Sequence, residues 1–333
     1  MFLPDLRNRI FYTFKPILPR PLQLFLRRTM AVRKKHRYAH VWPIDPQAGK
    51  PPPGWPGWPH GKQFAFVLSH DVDTRKGYER VLKLAALEER LGFRSQFNFV
   101  PERYGEISLE LLGELRRRGF EIGVHGLRHD GKLFRSKKTF DERAPRINAY
   151  LKQWGTRAFT TPSMIRNHSW MHALAIDFCI STFDTDPFEP QSDGVGTIFP
   201  YWVQNEIIGN AFLELPYTLV QDFTLFVLLR EKSIVTWTRK VEWVAAKGGM
   251  ALLNSHPDYM RFDEGRCRAE EYPAALYESF LQWVKLRFAS ILWHALPVGV
   301  HEYLVSRRPV KSAPLESGEA SDALAASVCY TPD

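Results

Sequence analysis

Polar side chains, mostly histidine and aspartate, stand directly after several apolar runs of this sequence. Four such places are 70–73 (HDVD), 125–129 (HGLRH), 160–162 (TTP) and 256–258 (HPD). In parallel α/β folds the carboxyl ends of the strands meet on one side of the sheet, and functional groups gather there. We therefore expect these four segments to form one site.

The spacing of His125 and His129 suits a metal ion. Two imidazoles four positions apart can reach one divalent ion, and a carboxylate from 70–73 would give three protein ligands with an open coordination position. Such a set is typical of catalytic zinc sites, in which bound water becomes acidic enough to attack at neutral pH. The alternative is a pair of unrelated surface histidines, but the acidic segment two strands earlier favours a site. We therefore predict a divalent metal cofactor, with Zn2+ as the expected ion.

Alternating strand and helix patterns surround these residues. The apolar runs 64–70, 95–100 and 120–125 predict buried parallel strands. Between them, 77–91 and 109–118 show the spacing of amphipathic helices that end at a glycine. Further helices are predicted near 138–153, 167–174, 222–231, 237–247 and 270–288, and further strands near 157–160, 177–183, 212–215 and 250–256. This order predicts an α/β fold with a parallel sheet or barrel.

Composition and charge exclude several classes of protein. Of the 333 residues, 44% are hydrophobic and 24% charged, which excludes a disordered, collagen-like or fibrous chain. Residues 1–40 hold ten Lys and Arg and one acidic residue, which equals the whole net charge of +9 and leaves the remainder neutral. A basic field confined to one end does not indicate a nucleic-acid partner. The three cysteines, Cys179, Cys267 and Cys329, are too scattered for a disulfide framework.

The chain divides into four predicted parts. Residues 1–42 form a basic amphipathic arm, 43–61 a linker or strap rich in Pro, Gly and Trp, 62–305 a barrel, and 306–333 a flexible tail.

The basic arm has two interpretations. Residues 1–40 could lie on an anionic membrane surface, or the arm could pack across the barrel with its bases solvated. Pro16, Pro19 and Pro21 are predicted to break any helix here into short pieces. No run reaches the roughly 18 apolar residues of a membrane span, and no signal peptide is evident. The expected location is the cytoplasm, with any peripheral contact on the inner face of the membrane.

Three motifs together resemble the polysaccharide deacetylase family, the NodB-homology carbohydrate esterases. They are LSHDVD (68–73), HGLRH (125–129) and LLNSH (252–256), and the resemblance covers about residues 62 to 258. The order, spacing and strand placement match those of the family, whereas the HDVD form is typical of a divergent branch. The resemblance implies a distorted (β/α)7 barrel and a metal-dependent hydrolase that removes an N-acetyl group from an amino sugar in a glycan or glycan precursor.

The resemblance also implies a role for each site residue. Asp73, His125 and His129 would be the metal ligands, Asp71 the general base and His256 the general acid. Exchanged roles for Asp71 and Asp73 remain open, as does a purely structural role for His256. The remaining histidine of the first motif, His70, is expected to pack in the second layer around the site. Phe188, Trp170, Tyr201 and Trp202 are candidate sugar-stacking residues, and Asp222 is expected to cap a helix.

One motif departs from the family pattern. Thr160 stands where the family has an arginine that holds the catalytic aspartate, and a hydroxyl cannot supply the bidentate pairing of a guanidinium. Arg157 or Arg166 could reach the site instead. The departure raises a second hypothesis, a catalytically impaired protein of this fold that binds glycan or membrane in polysaccharide assembly. A third interpretation, Asp71 and Asp73 as the DxD motif of a sugar-nucleotide transferase, leaves the histidines unexplained.

Overall fold

A distorted barrel of seven parallel strands forms the centre of the molecule. The structure, a computed structural model, describes residues 19–207 and 209–308. The strands are β1 (Phe64–Val72), β2 (Gln96–Phe99), β3 (Glu121–His125), β4 (Ala158–Thr160), β5 (Phe178–Ile180), β6 (Tyr201–Asn205), β7 (Asn210–Glu214), β8 (Met250–Ser255), β9 (Met260–Arg261), β10 (Tyr272–Pro273) and β11 (Leu292–His294). Seven of these strands form the barrel, in the order β7-β5-β4-β3-β2-β1-β8, and neighbouring strands in this series are parallel. This arrangement confirms the predicted α/β barrel.

Two further strands extend the sheet, and an irregular segment completes the barrel. β6 pairs with β7 in antiparallel direction, and β11 runs beside the first half of β1. Between β7 and β8 the barrel is closed by an irregular segment, in which the backbone nitrogens of Thr218 and Leu219 donate to the Leu252 carbonyl at 3.0 Å. The short strands β9 and β10 pair only with each other.

The helices cover the outside of the barrel. They are α1 (Arg20–Arg37), α2 (Arg75–Leu91), α3 (Leu109–Arg117), α4 (Lys137–Gln153), α5 (His168–Met171), α6 (Val235–Lys247), α7 (Ala274–Phe288) and α8 (Pro297–Ser306), with a π-helical segment at Phe223–Leu228. Within the part of the chain that the structure describes, no helix is long and apolar enough to cross a membrane.

Strand β1 shows how the sequence pattern positions the site. All nine of its residues are buried, as expected for a parallel strand covered on both faces. Phe64, Phe66 and Leu68 belong to the core beneath the helices, whereas Ala65 and Val67 belong to a second core inside the barrel. Because side chains alternate along a strand, the same register carries Asp71 into the barrel mouth.

Helix α1 contradicts the predicted series of short helical pieces. It is continuous over 18 residues, with Pro19 at its N-cap and Pro21 in the first turn, where no intrahelical N–H bond is lost. Leu24 and Ala31 pack against the π-helical segment. The arm therefore lies on the barrel from residue 20 onwards, while residues 1–18 of the predicted arm and 309–333 of the predicted tail lie outside the described residues.

The Pro- and Trp-rich segment 43–61 is a strap fixed to the barrel. Trp58 is buried, and its indole nitrogen donates to the Gly248 carbonyl at 2.8 Å. Trp55 packs edge-on against both Trp58 and Phe199, with ring centroids 4.9 and 5.0 Å apart. These contacts attach the second half of the strap to the barrel.

Candidate metal centre and active site

Three predicted metal ligands converge at the mouth of the barrel. Asp73 follows the last residue of β1, His125 ends β3, and His129 lies in the loop that follows. Asp73 Oδ1 is 3.4 Å from His125 Nε2 and 3.1 Å from His129 Nε2. One ligand atom from each of the three residues lies within 4.8 Å of the others. The donor set and its spacing fit a divalent ion held by two imidazoles and a carboxylate.

The burial of Asp73 supports the same interpretation. Its Oδ1 atom is buried without a hydrogen-bond partner among the described residues, and a buried carboxylate oxygen is costly to leave unpaired. Burial raises the pKa of Asp73, but the charge of His129 and the close approach of the His125 and His129 imidazoles lower it well below its usual value. Asp73 is therefore ionised, as a metal ligand must be.

Backbone geometry brings His129 back towards the ion site. Gly126 has φ of 60° and His129 has φ of 49°, so the loop turns twice through the left-handed region. A non-glycine residue in that region is strained and needs support from its surroundings. Arg103 supplies part of that support by donating to the His129 carbonyl at 2.9 Å.

Asp258 fixes the backbone on the other side of the site. One of its carboxylate oxygens accepts from the Asp73 backbone nitrogen at 3.0 Å, and the other accepts from the Thr74 hydroxyl. A Cβ atom at Gly77 would lie 2.2 Å from the same carboxylate, so only glycine fits there. Burial, with the charge of Asp73, raises the pKa of Asp258 to about 6. The last segment of the predicted site, 256–258, thus positions Asp73.

The second carboxylate, Asp71, is held by three uncharged donors. Its Oδ1 accepts from Asn98 Nδ2 at 3.0 Å and from the Thr160 hydroxyl at 3.3 Å, and its Oδ2 accepts from Asn254 Nδ2 at 2.8 Å. Asn98 fits because residue 123 in the next strand is glycine, where a Cβ would lie 2.1 Å from the Asn98 side-chain oxygen. Sequence reasoning missed both asparagines, although each is a polar residue within a buried apolar strand.

Thr160 also links Asp71 to His125, one of the predicted metal ligands. His125 Nδ1 lies 2.6 Å from Thr160 Oγ1. When the hydroxyl donates to Asp71, its oxygen accepts from the Nδ1–H group of His125. This arrangement leaves the lone pair on His125 Nε2, which faces Asp73. A hydrogen bond to one ring nitrogen that fixes the tautomer is typical of metal-binding histidines.

Neither arginine proposed as a substitute contacts Asp71. Arg157 pairs with Asp177 at 2.5 Å, and Arg166 pairs with Asp193 at 3.0 Å. Thr160 and the two asparagines are instead the groups that hold Asp71.

His256 lies in the same mouth and is held by Asp222. The imidazole Nδ1 is 2.7 Å from Asp222 Oδ1, and the His256 backbone nitrogen donates to Asp222 Oδ2 at 2.9 Å. Burial lowers the pKa of His256, but the charge and hydrogen bond of Asp222, with the charges of Asp73 and Asp71, raise it to about 10. His256 is therefore a cation at neutral pH.

Asp222 and His70 have structural contacts that the sequence partly predicted. Asp222 caps the π-helical segment by accepting from the Phe223 backbone nitrogen at 2.8 Å, as expected, and additionally orients His256. His70 is fully buried behind the strand, where its ring nitrogens contact Glu88 Oε1 at 2.7 Å and Ser255 Oγ at 2.9 Å. Its place is in the packing behind the site, as predicted.

A cleft of about 360 Å³ lies at the barrel mouth, and its lining includes Asp71, Asp73, His125, His129, His256 and Asp258. Its size is within the range of small-ligand sites. One wall comes from α1, which contributes Arg27, Met30, Ala31 and Lys34. Phe188 is the candidate aromatic residue among the lining residues; Trp170, Tyr201 and Trp202 are not among them. The described part of the N-terminal arm therefore packs on the barrel, which is one of its two predicted interpretations, and forms part of the candidate active site.

Comparison with known proteins identifies the fold. No model of a known protein family and no curated protein matches the sequence. Among solved structures, a protein assigned as a polysaccharide deacetylase from Mycobacterium smegmatis matches with a TM-score of 0.57 and 17% identity, over 75% of this chain and 93% of that one.

A second solved structure is equally similar in shape. It is an allantoinase with a TM-score of 0.57 and 14% identity, covering 76% of this chain and 94% of that one. At such low identity the likeness establishes the fold and leaves the reaction open. The chain thus has the polysaccharide deacetylase fold, a distorted (β/α)7 barrel.

Proposed function

We propose that this protein is a metal-dependent hydrolase that removes the N-acetyl group from an amino sugar. The observation that carries the proposal is the pairing of two different carboxylates in one cleft. Asp73 lies between two imidazoles, whereas Asp71 is held by neutral donors next to them. Hydrolysis of an amide needs both a group that binds an ion and a separate group that accepts a proton from water.

The metal would be held by Asp73, His125 and His129. A divalent ion, for which we propose Zn2+, supplies a Lewis acid that lowers the pKa of a water molecule and polarises a carbonyl. Asp71 would accept a proton from the attacking water. Its hydrogen bonds with Asn98, Asn254 and Thr160 orient the carboxylate without a cation that would oppose protonation.

His256 would donate the proton that the leaving group needs. The water oxygen bonds to the acetyl carbon, the C–N bond breaks, and the nitrogen departs as an amine after it takes a proton. Asp222 keeps the imidazole protonated and fixes its orientation. The products are acetate and a free amino sugar, and His256 recovers a proton from Asp71 through solvent.

Metal content and acetate release test the proposal together. The purified wild-type chain should contain about one equivalent of divalent metal and should release acetate from at least one N-acetylated sugar. Asp73→Ala should lose the metal, whereas Asp71→Asn should keep it and lose acetate release. His40→Ala, which changes an exposed histidine far from these ligands in sequence, is the matched control.

Each result separates two hypotheses. Metal loss in Asp71→Asn instead of Asp73→Ala would exchange the roles of the two carboxylates. Metal binding without acetate release from any sugar would favour the catalytically impaired protein. Less than half an equivalent of metal, unchanged by Asp73→Ala, would contradict the assigned site.

We further propose that the protein works at an anionic membrane surface, on the cytoplasmic face. The outward side of α1 exposes apolar side chains, with Leu22 42% and Phe25 63% exposed. The same arm holds the whole excess of positive charge. Apolar side chains next to basic ones are the combination that holds a helix in a lipid interface.

A further inference from the structure

The inner side of α1 presents a stripe of residues to the cleft. Arg27, Met30, Ala31 and Lys34 are spaced at i, i+3, i+4 and i+7, and all four line the cleft. This is the spacing of one helix face. The helix is held in that position by Arg28, whose side chain donates to the Val227 carbonyl at 3.0 Å, and by the packing of Leu24.

Two cations of this stripe lie close to groups of the barrel. The Arg27 guanidinium lies over the Phe223 ring at 4.5 Å from its centroid, and none of the salt bridges among the described residues includes Arg27. Lys34 donates to the Pro187 carbonyl at 2.6 Å. A guanidinium stacked on an aromatic ring keeps its N–H edge available for a ligand.

Further cations line the cleft from the barrel side. Lys76, in the first turn of α2, pairs with Glu271 at 2.8 Å, and Arg103 holds the His129 loop. Both already have partners that fix them. Arg27 is the cation of the α1 wall that has no salt bridge among the described residues. Lys34 lies beside it on the same helix face, and its ammonium group has three N–H donors, of which the Pro187 carbonyl takes one.

The acids on that side of the cleft offset these charges only in part. Glu189 lines the cleft, and the Tyr217 hydroxyl donates to both Glu189 and Asp186 at 3.0 Å. Burial, with the charge of Asp186, raises the pKa of Glu189 to about 8, so this carboxyl is neutral at pH 7. Burial raises the pKa of Asp186 only to about 6, so this carboxylate is negative at pH 7 and its charge acts on Lys34. Glu270 lines the cleft near Arg28. The three cations Arg27, Arg28 and Lys34 outnumber these two acids, so the α1 side of the cleft keeps a net positive charge.

We propose that the substrate is an acetylated amino sugar that carries a phosphate group, and that Arg27 and Lys34 bind this phosphate. A neutral sugar would gain little from two cations, whereas guanidinium N–H groups match phosphate oxygens well. The Cα atoms of residues 27 and 34 are about 10 Å apart along the helix. The two side chains can thus contact different oxygens of a phosphate or diphosphate, a span that the single edge of a carboxylate does not offer.

The inference rests on the proposed function for the position of the sugar, and a binding experiment separates the two. Calorimetry on the full-length, zinc-loaded protein would compare N-acetylglucosamine with N-acetylglucosamine 1-phosphate. Arg27→Gln and Lys34→Gln remove the proposed contacts. Arg33→Gln, on the exposed side of the same helix, removes an equal charge and is the matched control. Thermal unfolding of each variant would verify that it folds.

We expect the phosphorylated sugar to bind at least about tenfold more tightly than the neutral one. Arg27→Gln and Lys34→Gln should each lose most of this difference, and Arg33→Gln should keep it. Equal affinities for the two sugars would overturn the inference. So would a preference that survives both substitutions, because the phosphate would then bind elsewhere, for example directly at the metal.

Acetate release, measured on the same sugars, identifies which proposal fails. A phosphate preference without acetate release would leave the binding inference intact and contradict the hydrolase. Acetate release from the neutral sugar without a phosphate preference would support the hydrolase and contradict the binding inference. Two further ligands distinguish the source of the phosphate: a uridine diphosphate sugar, and a sugar joined through phosphate to an isoprenoid lipid in micelles. Of these two ligands, the one whose affinity falls more in Arg27→Gln is the one whose phosphate binds to the α1 side of the cleft.

Discussion

At the scale of single residues, hydrogen bonds explain how Asp71 is held when threonine stands in place of the expected arginine. The expected arginine would hold the catalytic carboxylate through charge, whereas this site holds Asp71 through one hydroxyl and two amides. The hydroxyl additionally fixes the tautomer of His125. An arginine would place a full positive charge beside a group that must accept a proton. A neutral set of donors gives the same orientation with less effect on basicity.

Substitution of Thr160 by valine tests this role. The variant keeps the side-chain shape but breaks the link between His125 and Asp71, so we expect kcat/KM to fall about 10- to 100-fold. Metal affinity should weaken as well, which gives a readout independent of turnover. Thr161→Val is a matched control, because Thr161 is equally buried and its hydroxyl has no hydrogen-bond partner in the structure. A Thr160→Val enzyme with wild-type activity and metal affinity would contradict the role.

Asp222 should set the alkaline limit of activity. The pKa of His256 is raised to about 10, so the acid form persists through neutral pH and is lost as pH rises through that value. Asp222→Asn removes the charge that raises this pKa. We expect the alkaline limb of the kcat/KM profile to move to lower pH by about one to three pH units. Tyr272→Phe, which removes only a 3.0 Å hydrogen bond to Asp222, should move it much less.

The same pair provides a test that does not need turnover. Because the pKa of His256 is higher in the folded protein than the ordinary value of 6.5, the pair stabilises the fold fully below that pH. This stabilisation is lost as pH rises through about 10. Urea unfolding should therefore show a larger difference between wild type and Asp222→Asn at pH 6 than at pH 10. A difference that does not depend on pH would mean that Asp222 acts by capping alone.

The sequence predicted the charged residues of the site better than the neutral ones. Aspartate and histidine at strand ends are uncommon enough to stand out, and their spacing indicates chemistry. Asn98 and Asn254 lie inside apolar runs, where a single polar residue can equally mark a bulge, a strand end or a buried network. Their role depends on which strands become neighbours of β1, and that is a property of the barrel.

At the scale of secondary structure elements, predictions succeeded where burial alone sets the pattern. Strands β1, β3 and β8 are continuous apolar runs and were located to within two residues. Strand β6 was missed because it is half exposed and pairs only at the edge of the sheet. Helix α1 was predicted as fragments, since a proline breaks a helix or begins one according to where the first turn falls.

The attachment of α1 depends on a small apolar contact that can be tested. Leu24 is 3% exposed and packs with Phe223, Val227 and Leu228. Leu24→Ala should weaken the attachment by about 2 kcal/mol or more, which corresponds to about thirtyfold faster amide exchange within α1. Leu22→Ala, two residues earlier and 42% exposed, should leave exchange nearly unchanged. Equal exchange in both variants would show that the packing of Leu24 does not hold the helix.

At the scale of the whole molecule, the charge distribution and the structure support one arrangement. The net charge of +9 belongs to residues 1–40, and the described part of that segment forms a wall of the cleft. The sequence offered a choice between a membrane arm and a packed arm. The two interpretations are compatible, because the inner side of α1 contacts the barrel while its outer side stays exposed. Deleting the arm would damage the cleft, so substitutions on the outer side test membrane binding more cleanly.

The membrane proposal predicts binding to anionic lipid through the outer side of α1. We expect the wild-type protein to sediment with phosphatidylglycerol vesicles, to remain free with phosphatidylcholine vesicles, and to dissociate as salt is raised. Substituting both Leu22 and Phe25 by serine should weaken binding at least about tenfold, because these side chains are the apolar part of the contact.

The control for this experiment removes an exposed apolar side chain elsewhere. Leu286 on α7 is 87% exposed, and Leu286→Ser should bind vesicles like the wild type. All variants should keep their metal, since none of the substituted residues lines the cleft. Binding that is unaffected by the α1 substitutions, or equal binding to neutral vesicles, would contradict the membrane proposal. Loss of vesicle binding with intact metal would place the membrane directly beside the cleft wall, so that a sugar linked to lipid through phosphate could reach the metal centre along α1.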